Sequence, residues 1–212
     1  MNLLLYPEPL QYQRKNALDP ARFQYLEGCV RSEENYDIPD FGDKNGSPLI
    51  YLSFGSLGSG DTNLLKRMIE VLGQQDFRVL ANIGDYSDAY GEVPDNIRIA
   101  SWYPQPSVIA QVDAVIHHGG NNSFNECLYF GKPALIMPYV WDGHDNATRV
   151  QETGHGLKMH RANWSDAEFV SALQSLLTDE AMRARLASTS KHMRAADGRR
   201  KAATIIDQLL GS

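Results

Sequence analysis

The sequence predicts an α/β fold, a doubly wound parallel sheet with helices packed on its two faces. From residue 47 onward, short and nearly continuous apolar runs alternate with stretches of helical periodicity. Such apolar runs are typical of strands covered on both faces. Two of the predicted strands end in glycine-rich turns, at Gly55 and Gly119. In a parallel sheet, turns of this kind lie on the carboxyl edge, where ligands bind.

The first 46 residues lack this periodicity. Residues 2–6 are apolar enough for one strand, and residues 7–14 suit an irregular surface segment. Residues 32–46 are polar, acidic and rich in turn-forming residues. We therefore predict an interdomain or linker segment over residues 1–46 and a folded domain over residues 47–212.

The elements of the predicted domain follow one another in α/β order. Strands are expected at residues 48–54, 77–83, 97–100, 112–116 and 133–137, with a short sixth strand at 157–159. A flexible loop over 55–60 leads into a helix that Asp61 or Thr62 can cap and that Gly73 ends. A second helix begins with an Asn-Asn-Ser turn and ends at Gly131. Three helices complete the chain, at 166–177, 180–195 and 199–210.

Composition excludes several classes of function. The chain has 212 residues and a formal net charge of −6, so we expect one core and no nucleic-acid partner. Its two cysteines, Cys29 and Cys127, lie far apart in sequence, which favours reduced thiols and a cytoplasmic protein. The apolar runs are short, so neither a signal peptide nor a membrane span is expected.

The turn that follows the fourth predicted strand is the best candidate for a binding site. His117 and His118 are adjacent at a strand end, so their side chains should point to opposite sides and make poor joint metal ligands. A Gly-Gly turn and a helix N-terminus come next, and free N–H groups at such an end bind phosphate. We therefore favour His118 as a phosphate donor, although a histidine packed in the core is the commoner case.

Ser123 and Glu126 allow two interpretations. Their spacing fits a capping box, in which Ser123 caps the helix and Glu126 reaches back to it. Alternatively, the carboxylate of Glu126 can accept two hydrogen bonds from a ribose diol. Asn122 or Ser123 could still donate a hydrogen bond to phosphate from its backbone N–H group.

Three further candidates lie just past other predicted strands. Trp102 and Gln105 combine an aromatic face with an amide, which suits stacking on a base and reading its edge, but an isolated tryptophan is more often half-buried in a core. Ser56 lies in a glycine-rich loop that lacks the P-loop and dinucleotide-fold spacings, so a plain turn is equally plausible. Asp142 could bind hydroxyl groups of a polar ligand or simply form part of a turn and a helix cap.

Together these motifs resemble the donor-binding signature of GT-B UDP-glycosyltransferases. The matching residues are, in order, Ser53-Phe54-Gly55-Ser56, Trp102-x-Pro104-Gln105, His118-x-Gly120-x-Asn122-Ser123-x-x-Glu126, Gly131-x-Pro133, Pro138-x-x-x-Asp142 and Asn146-Ala147. The His-His-Gly-Gly turn is most similar to that of bacterial enzymes of the macrolide and natural-product type. The resemblance covers residues 48–210 and implies the carboxyl-terminal, Rossmann-like half of such an enzyme.

The resemblance implies a role for each matched residue. Trp102 would stack on the base, Gln105 would hydrogen-bond beside it, and Glu126 would bind the ribose hydroxyls. The diphosphate would be held by Gly55, Ser56, His118, Gly120, Asn122 and Ser123. Asp142 would bind the transferred sugar. Many relatives carry Gln after this Asp, whereas this chain has Gly143, so the sequence leaves the donor sugar open.

The implied reaction is inverting transfer of a sugar from a UDP- or dTDP-sugar to a hydroxyl acceptor, without a metal or other cofactor. The family's general base is a histidine of an amino-terminal acceptor domain, for which 46 residues are too few. We therefore predict a partial enzyme that needs this domain as its partner and assign no catalytic residue. A non-catalytic nucleotide-sugar-binding module is the alternative. A nicotinamide oxidoreductase is disfavoured by the glycine spacing of the first loop.

Overall fold

The computed structural model describes residues 1–211, apart from the side chain of Leu57. Ser212, the last residue of the predicted domain, lies outside the described residues. The strands are β1 (Asn2–Leu4), β2 (Phe23–Tyr25), β3 (Leu49–Ser53), β4 (Arg78–Asn82), β5 (Ile97–Ala100), β6 (Ala114–His117), β7 (Ala134–Ile136) and β8 (Gly156–Lys158). The helices are α1 (Gly55–Gly58), α2 (Thr62–Gly73), α3 (Gln105–Gln111), α4 (Asn121–Phe130), α5 (Asp142–Glu152), α6 (Asp166–Thr178), α7 (Glu180–Ala195) and α8 (Gly198–Leu210).

Strands β3 to β8 form one parallel sheet in the order β5-β4-β3-β6-β7-β8, and helices flank it. Counted from its first strand, this order is 3-2-1-4-5-6, the doubly wound arrangement of Rossmann-like folds. The predicted fold class is therefore confirmed. The direction of strand order reverses between β3 and β6, where Ser53 pairs with His117. The two glycine-rich turns leave the sheet from these neighbouring strand ends, as predicted.

The core explains why the central strands carry almost no polar residues. All five residues of β3 are buried, and Ile50, Tyr51 and Leu52 are fully inaccessible to solvent. Because helices cover a parallel sheet on both faces, each strand position must bury its side chain. At roughly 25 cal/mol per Å² of apolar surface, this burial is the main driving force for the sheet.

Several predicted helix ends are confirmed. The Asp61 side chain accepts a hydrogen bond from the N–H of Leu64 at the start of α2. Gly131 follows α4 in a left-handed conformation with φ of 66°, a conformation that glycine adopts without steric cost. Helices α6, α7 and α8 agree with the three predicted at the end of the chain to within one residue at each end.

Two short helices depart from the predictions. The segment predicted as a flexible loop over 55–60 contains α1, because Gly55 turns the chain sharply at φ of 65° and its carbonyl accepts the N–H of Ser59 at 3.0 Å. Helix α3 was not predicted. It follows Pro104 as N-cap and carries Pro106 in its first turn, where proline's fixed φ suits a helix and its missing N–H costs nothing.

Residues 1–46 are more ordered than a linker pattern indicates. Strands β1 and β2 pair in parallel as a separate two-stranded sheet, and β2 was not predicted. The guanidinium of Arg149, in α5, lies over the rings of Tyr6 and Tyr12, at 3.8 and 4.1 Å from their centroids. It also donates to the carbonyl of Leu10 at 3.1 Å. The segment therefore packs on α5, while the domain boundary at residue 46 stays a prediction.

Cys29 and Cys127 are both free, and Cys127 is buried. Among the described residues, no helix combines the length and the apolar character that crossing a membrane requires.

Candidate functional site

A cavity of about 950 Å³ opens at the carboxyl edge of the sheet, where β3 and β6 end. Eight of the residues predicted for the site line it: Gly55, Ser56, Trp102, Gln105, His118, Gly120, Asn122 and Ser123. Residues that come after three different strands, β3, β5 and β6, therefore converge on one space. Glu126 and Asp142, the other two predicted site residues, are not among its lining residues.

The imidazole of His118 lies between two glycines. A Cβ atom on Gly55 would approach its Cε1 to 3.0 Å, and one on Gly120 would approach its Nε2 to 2.6 Å. Gly119, between the ring and the helix, has φ of 89°. Larger residues at these positions would displace the ring or strain the backbone. These glycines therefore leave the space that the His118 ring occupies.

The two adjacent histidines have different environments, as predicted. His117 is fully buried, and its Nδ1 accepts the N–H of Gly119 at 3.0 Å. Burial lowers the pKa of His117 to about 3, because the charged form is excluded from the apolar interior. His117 therefore supports the turn from below as a neutral side chain, and His118 faces the cavity.

Burial also lowers the pKa of His118, and the negative charge of Asp142 opposes this effect. The ring is therefore neutral near pH 7, and a neutral imidazole has one N–H group to donate. Nδ1 of His118 is buried without a hydrogen-bond partner among the described residues.

Helix α4 presents its N-terminus beside His118. Gly120 is the N-cap, with no side-chain cap, and the first helical bond runs from the N–H of Phe124 to the carbonyl of Gly120 at 3.0 Å. The amides of residues 121–123 therefore precede the first intrahelical bond and are free to bind an anion. Asn146 fixes the turn, since its Nδ2 donates to the carbonyl of Gly119 at 2.8 Å and to Asn121 Oδ1 at 2.9 Å.

The capping-box interpretation of Ser123 and Glu126 is wrong. Ser123 is the third residue of α4 rather than its N-cap, because the Gly-Gly turn starts the helix two residues earlier. Its Oγ instead accepts a hydrogen bond from Nε2 of Gln105 at 3.0 Å. The same amide donates to Oε2 of Glu126 at 2.5 Å.

Glu126 is 2% exposed, and burial raises its pKa, while Gln105 and Arg31 oppose the rise. The carboxylate is hydrogen-bonded to Gln105, which itself lines the cavity. It is therefore next to the cavity but covered in this structure. Its assignment to a ribose diol stays a prediction.

Trp102 is 57% exposed at the cavity, so it is not a core tryptophan. The neighbouring Tyr103 is buried, contacts the rings of Tyr36 and Tyr51, and donates to the carbonyl of Arg98 at 3.1 Å. Tyr103 is anchored by these contacts and thus holds the exposed ring of Trp102, an open aromatic platform, in place. Such a platform can stack on a planar ring.

Asp142 is the first residue of α5 and lies close enough to His118 to affect its pKa. Gly143, next to it, packs against the turn: a Cβ atom there would lie 2.6 Å from the carbonyl oxygen of His118. A glutamine cannot occupy this position on the present backbone. Binding of a sugar by Asp142 stays a prediction.

The cavity has further lining residues that sequence reasoning did not select. They are Arg31, Ser53, Ser59, Asn82, Gly84, Asp85, Tyr86, Ser101, Tyr103 and Asn121. Asn82, Gly84 and Asp85 follow β4, and their position after a strand was a usable signal. Arg31 comes from the segment predicted as a linker, where no pattern singled it out. Over residues 1–211, no group of three or more His, Cys, Asp or Glu side chains could hold a metal ion.

Fold and site together define the carboxyl-terminal domain of a GT-B glycosyltransferase. Residues 66–209 match the model described as erythromycin biosynthesis protein CIII-like, C-terminal domain, and the chain belongs to that family. The structure is similar to that of the glycotransferase of kitacinnamycin, with a TM-score of 0.85 and 26% identity over 97% of this chain and 54% of that one.

Sequence comparison gives the same class. The chain is 25% identical over 212 residues to the NDP-glycosyltransferase YjiC of Bacillus subtilis (strain 168), covering 99% of this chain and 53% of that protein. It is 35% identical over 102 residues to the aclacinomycin-T 2-deoxy-L-fucose transferase of Streptomyces galilaeus, covering 48% of this chain and 23% of that protein. The chain thus spans about half the length of YjiC, and the match covers 99% of this chain.

VinC, solved in complex with dTDP, has the same fold. Its TM-score is 0.74 with 20% identity, over 94% of this chain and 50% of that one.

Proposed function

We propose that this chain is the donor-binding domain of a glycosyltransferase that takes its sugar from a UDP- or dTDP-sugar. One observation carries the proposal: a neutral phosphate clamp and an open aromatic platform line the same cavity. The clamp consists of His118 and the amides at the N-terminus of α4. The platform is Trp102. A nucleoside diphosphate has a stacking group and an anionic group joined by a ribose, and it matches this order.

The ligand would lie along the edge of the sheet from Trp102 to Asp142. Trp102 stacks on the base, and Gln105 hydrogen-bonds beside it. Glu126 binds the ribose hydroxyls. The diphosphate lies against His118 and the α4 amides, with Gly55 and Ser56 closing it from the β3 side. Asp142 receives the sugar hydroxyls from the first turn of α5. VinC, which has the same fold and was solved in complex with dTDP, supports a nucleoside diphosphate as the ligand.

The proposed reaction is inverting. A hydroxyl of the acceptor attacks the anomeric carbon, the bond from that carbon to the diphosphate oxygen breaks, and the diphosphate leaves with the electron pair. Donors fixed before the reaction stabilise charge that develops on a leaving group. Here His118 and the α4 amides supply them, so the proposed mechanism needs no metal ion.

The base that removes the acceptor's proton is assigned to a separate amino-terminal acceptor domain, and we propose that the chain alone transfers little or no sugar. Its coverage of about half of YjiC supports this partner. A cytoplasmic location is proposed with it, supported by the free thiols of Cys29 and Cys127.

Titration calorimetry with UDP and with dTDP tests the binding. We expect at least one of the two to bind, and no binding of either at millimolar concentration would refute the proposal. Transfer is tested separately, by adding an amino-terminal acceptor domain from a related glycosyltransferase and following sugar transfer. Restored transfer supports the enzyme. Nucleotide binding without transfer in any such pairing favours a non-catalytic nucleotide-sugar-binding module instead.

A further inference from the structure

Arg31 is a cation in a cavity that is otherwise lined by neutral and acidic groups. Among the described residues that line the cavity, it is the single Lys or Arg, and Asp85 is the acidic one. It comes from outside the six-stranded sheet, in the stretch between β2 and β3. A charged side chain that reaches the cavity from another part of the chain can serve the ligand or the groups that bind it.

The contacts of Arg31 favour the second role. Its Nη1 lies 3.8 Å from Oε1 of Glu126, whose side chain is 3% exposed. The other carboxylate oxygen, Oε2, accepts from Gln105 at 2.5 Å. The two oxygens of one buried carboxylate therefore face different partners. Arg31 is itself held from behind, because its Nε donates to Oε1 of Glu33 at 2.6 Å.

We propose that Arg31 is a positioning residue for ribose recognition, which holds the ionised Glu126 carboxylate in place beneath the cavity. This inference rests on the proposed function, because it concerns how the nucleotide's ribose is bound. It also gives the N-terminal segment a part in the donor site.

The charge balance around Glu126 supplies the physical reason. Burial raises the pKa of Glu126, the Gln105 hydrogen bond and the Arg31 charge lower it, and the Glu33 charge raises it. The other titratable neighbours stay neutral near pH 7: burial raises the pKa of Tyr51 to about 12 and that of Cys127 well above its usual value. Arg31 is therefore the positive charge that favours an ionised Glu126, and an ionised carboxylate can accept from both hydroxyls of a diol.

The test measures discrimination by the ribose rather than affinity alone. Arg31→Met and Arg31→Lys are made in the full chain, with Arg22→Met as the control, since Arg22 is exposed and does not line the cavity. Calorimetry compares UDP with its 2′,3′-dideoxy analogue between pH 6 and pH 8. If dTDP is the tighter ligand, it is compared with 3′-deoxythymidine diphosphate.

We expect Arg31→Met to weaken binding of the nucleotide by about tenfold near neutral pH and to leave the deoxy analogue unchanged. The loss should grow as pH falls, because without Arg31 the pKa of Glu126 rises further and more of it is protonated. Arg31→Lys should restore part of the discrimination, and Arg22→Met should match the wild type.

Equal loss for both ligands at every pH would overturn the inference, because a phosphate contact or a general structural role has that signature. Unchanged binding by Arg31→Met would also overturn it while leaving the proposed function standing. If the wild type binds neither nucleotide, the proposed function fails and this inference fails with it.

Discussion

A Cβ atom on Gly143 would lie 2.6 Å from the carbonyl oxygen of His118, and one on Gly119 would lie 2.7 Å from the carbonyl oxygen of Gly143. The first turn of α5 and the His118 turn are thus in backbone contact. Space for a side chain exists at neither position. The packing of the two turns therefore excludes a glutamine at position 143 on this backbone.

Gly143→Ala should push the two turns apart. We expect a loss of about 1–3 kcal/mol in the free energy of unfolding, the usual range for overpacking, and weaker nucleotide binding because the turn positions His118. Denaturant unfolding and calorimetry measure the two effects. Gly91→Ala is the control, since a Cβ atom there would meet nothing within 4 Å. Equal stability and equal nucleotide affinity in the two variants would show that the contact between the turns does not matter.

Glu126→Gln separates binding from helix capping. The change keeps the shape and removes a buried charge, so nucleotide affinity should fall while stability holds or rises. Ser165→Ala is the control, because Ser165 and Glu168 do form a capping box at the start of α6. That variant should lose about 1 kcal/mol of stability with unchanged affinity. If Glu126→Gln instead lowered the stability and left nucleotide affinity unchanged, Glu126 would be a capping residue.

Trp102→Ala should reduce nucleotide affinity by about 1–3 kcal/mol, the range for loss of one base–aromatic stack. Its effect on stability should be small, because Trp102 is 57% exposed. Trp141→Ala serves as the control: this tryptophan is 78% exposed and does not line the cavity. Calorimetry with UDP or dTDP measures both. Unchanged affinity in the Trp102 variant would mean that the base lies elsewhere.

The low pKa of His117 leads us to expect a specific pH dependence of the free energy of unfolding. Its pKa is about 3 in the folded chain and about 6.5 when exposed, so the unfolded state binds more protons between these values. Stability from this group is present above pH 6.5 and declines as pH falls toward 3. His117→Asn keeps an acceptor near the position of Nδ1 and removes the titration, so its stability should fall less steeply over this window.

Denaturant unfolding from pH 7 to pH 4.5 compares His117→Asn with the wild type. His160→Asn, at an exposed position, is the control and should follow the wild type. Parallel curves for all three proteins would show that His117 is not the titrating group.

The sheet was predictable because its strands are buried on both faces. All residues of a strand such as Leu49–Ser53 are buried, so the strand is recognisable in the sequence as a nearly continuous apolar run that ends at a glycine-rich turn. The turns at Gly55 and Gly119 were predictable for a related reason, since glycine at a strand end has a specific conformational meaning. The order of strands then placed both on the same edge.

Contacts over long sequence separations were not predictable in the same way. Nothing local marks Arg31 as a partner of Glu126, 95 positions later, because exposed arginines are common in polar segments. The capping-box error has a similar origin. Ser123 and Glu126 have the right spacing, but the helix start is fixed by Gly120 and by Asn146, which lies outside the motif. Local pattern gives the candidates, and tertiary contacts choose between them.

Arg149 links the first residues of the chain to the helix that holds the His118 turn. The guanidinium is held by Tyr6, Tyr12 and the Leu10 carbonyl, and it belongs to the same helix as Asn146. Asn146 in turn holds the carbonyl of Gly119. Residues 6–12 are therefore connected through α5 to the turn that carries His118. A change in the packing of residues 6–12 on α5 would thus alter the position of this turn without any contact with the cavity.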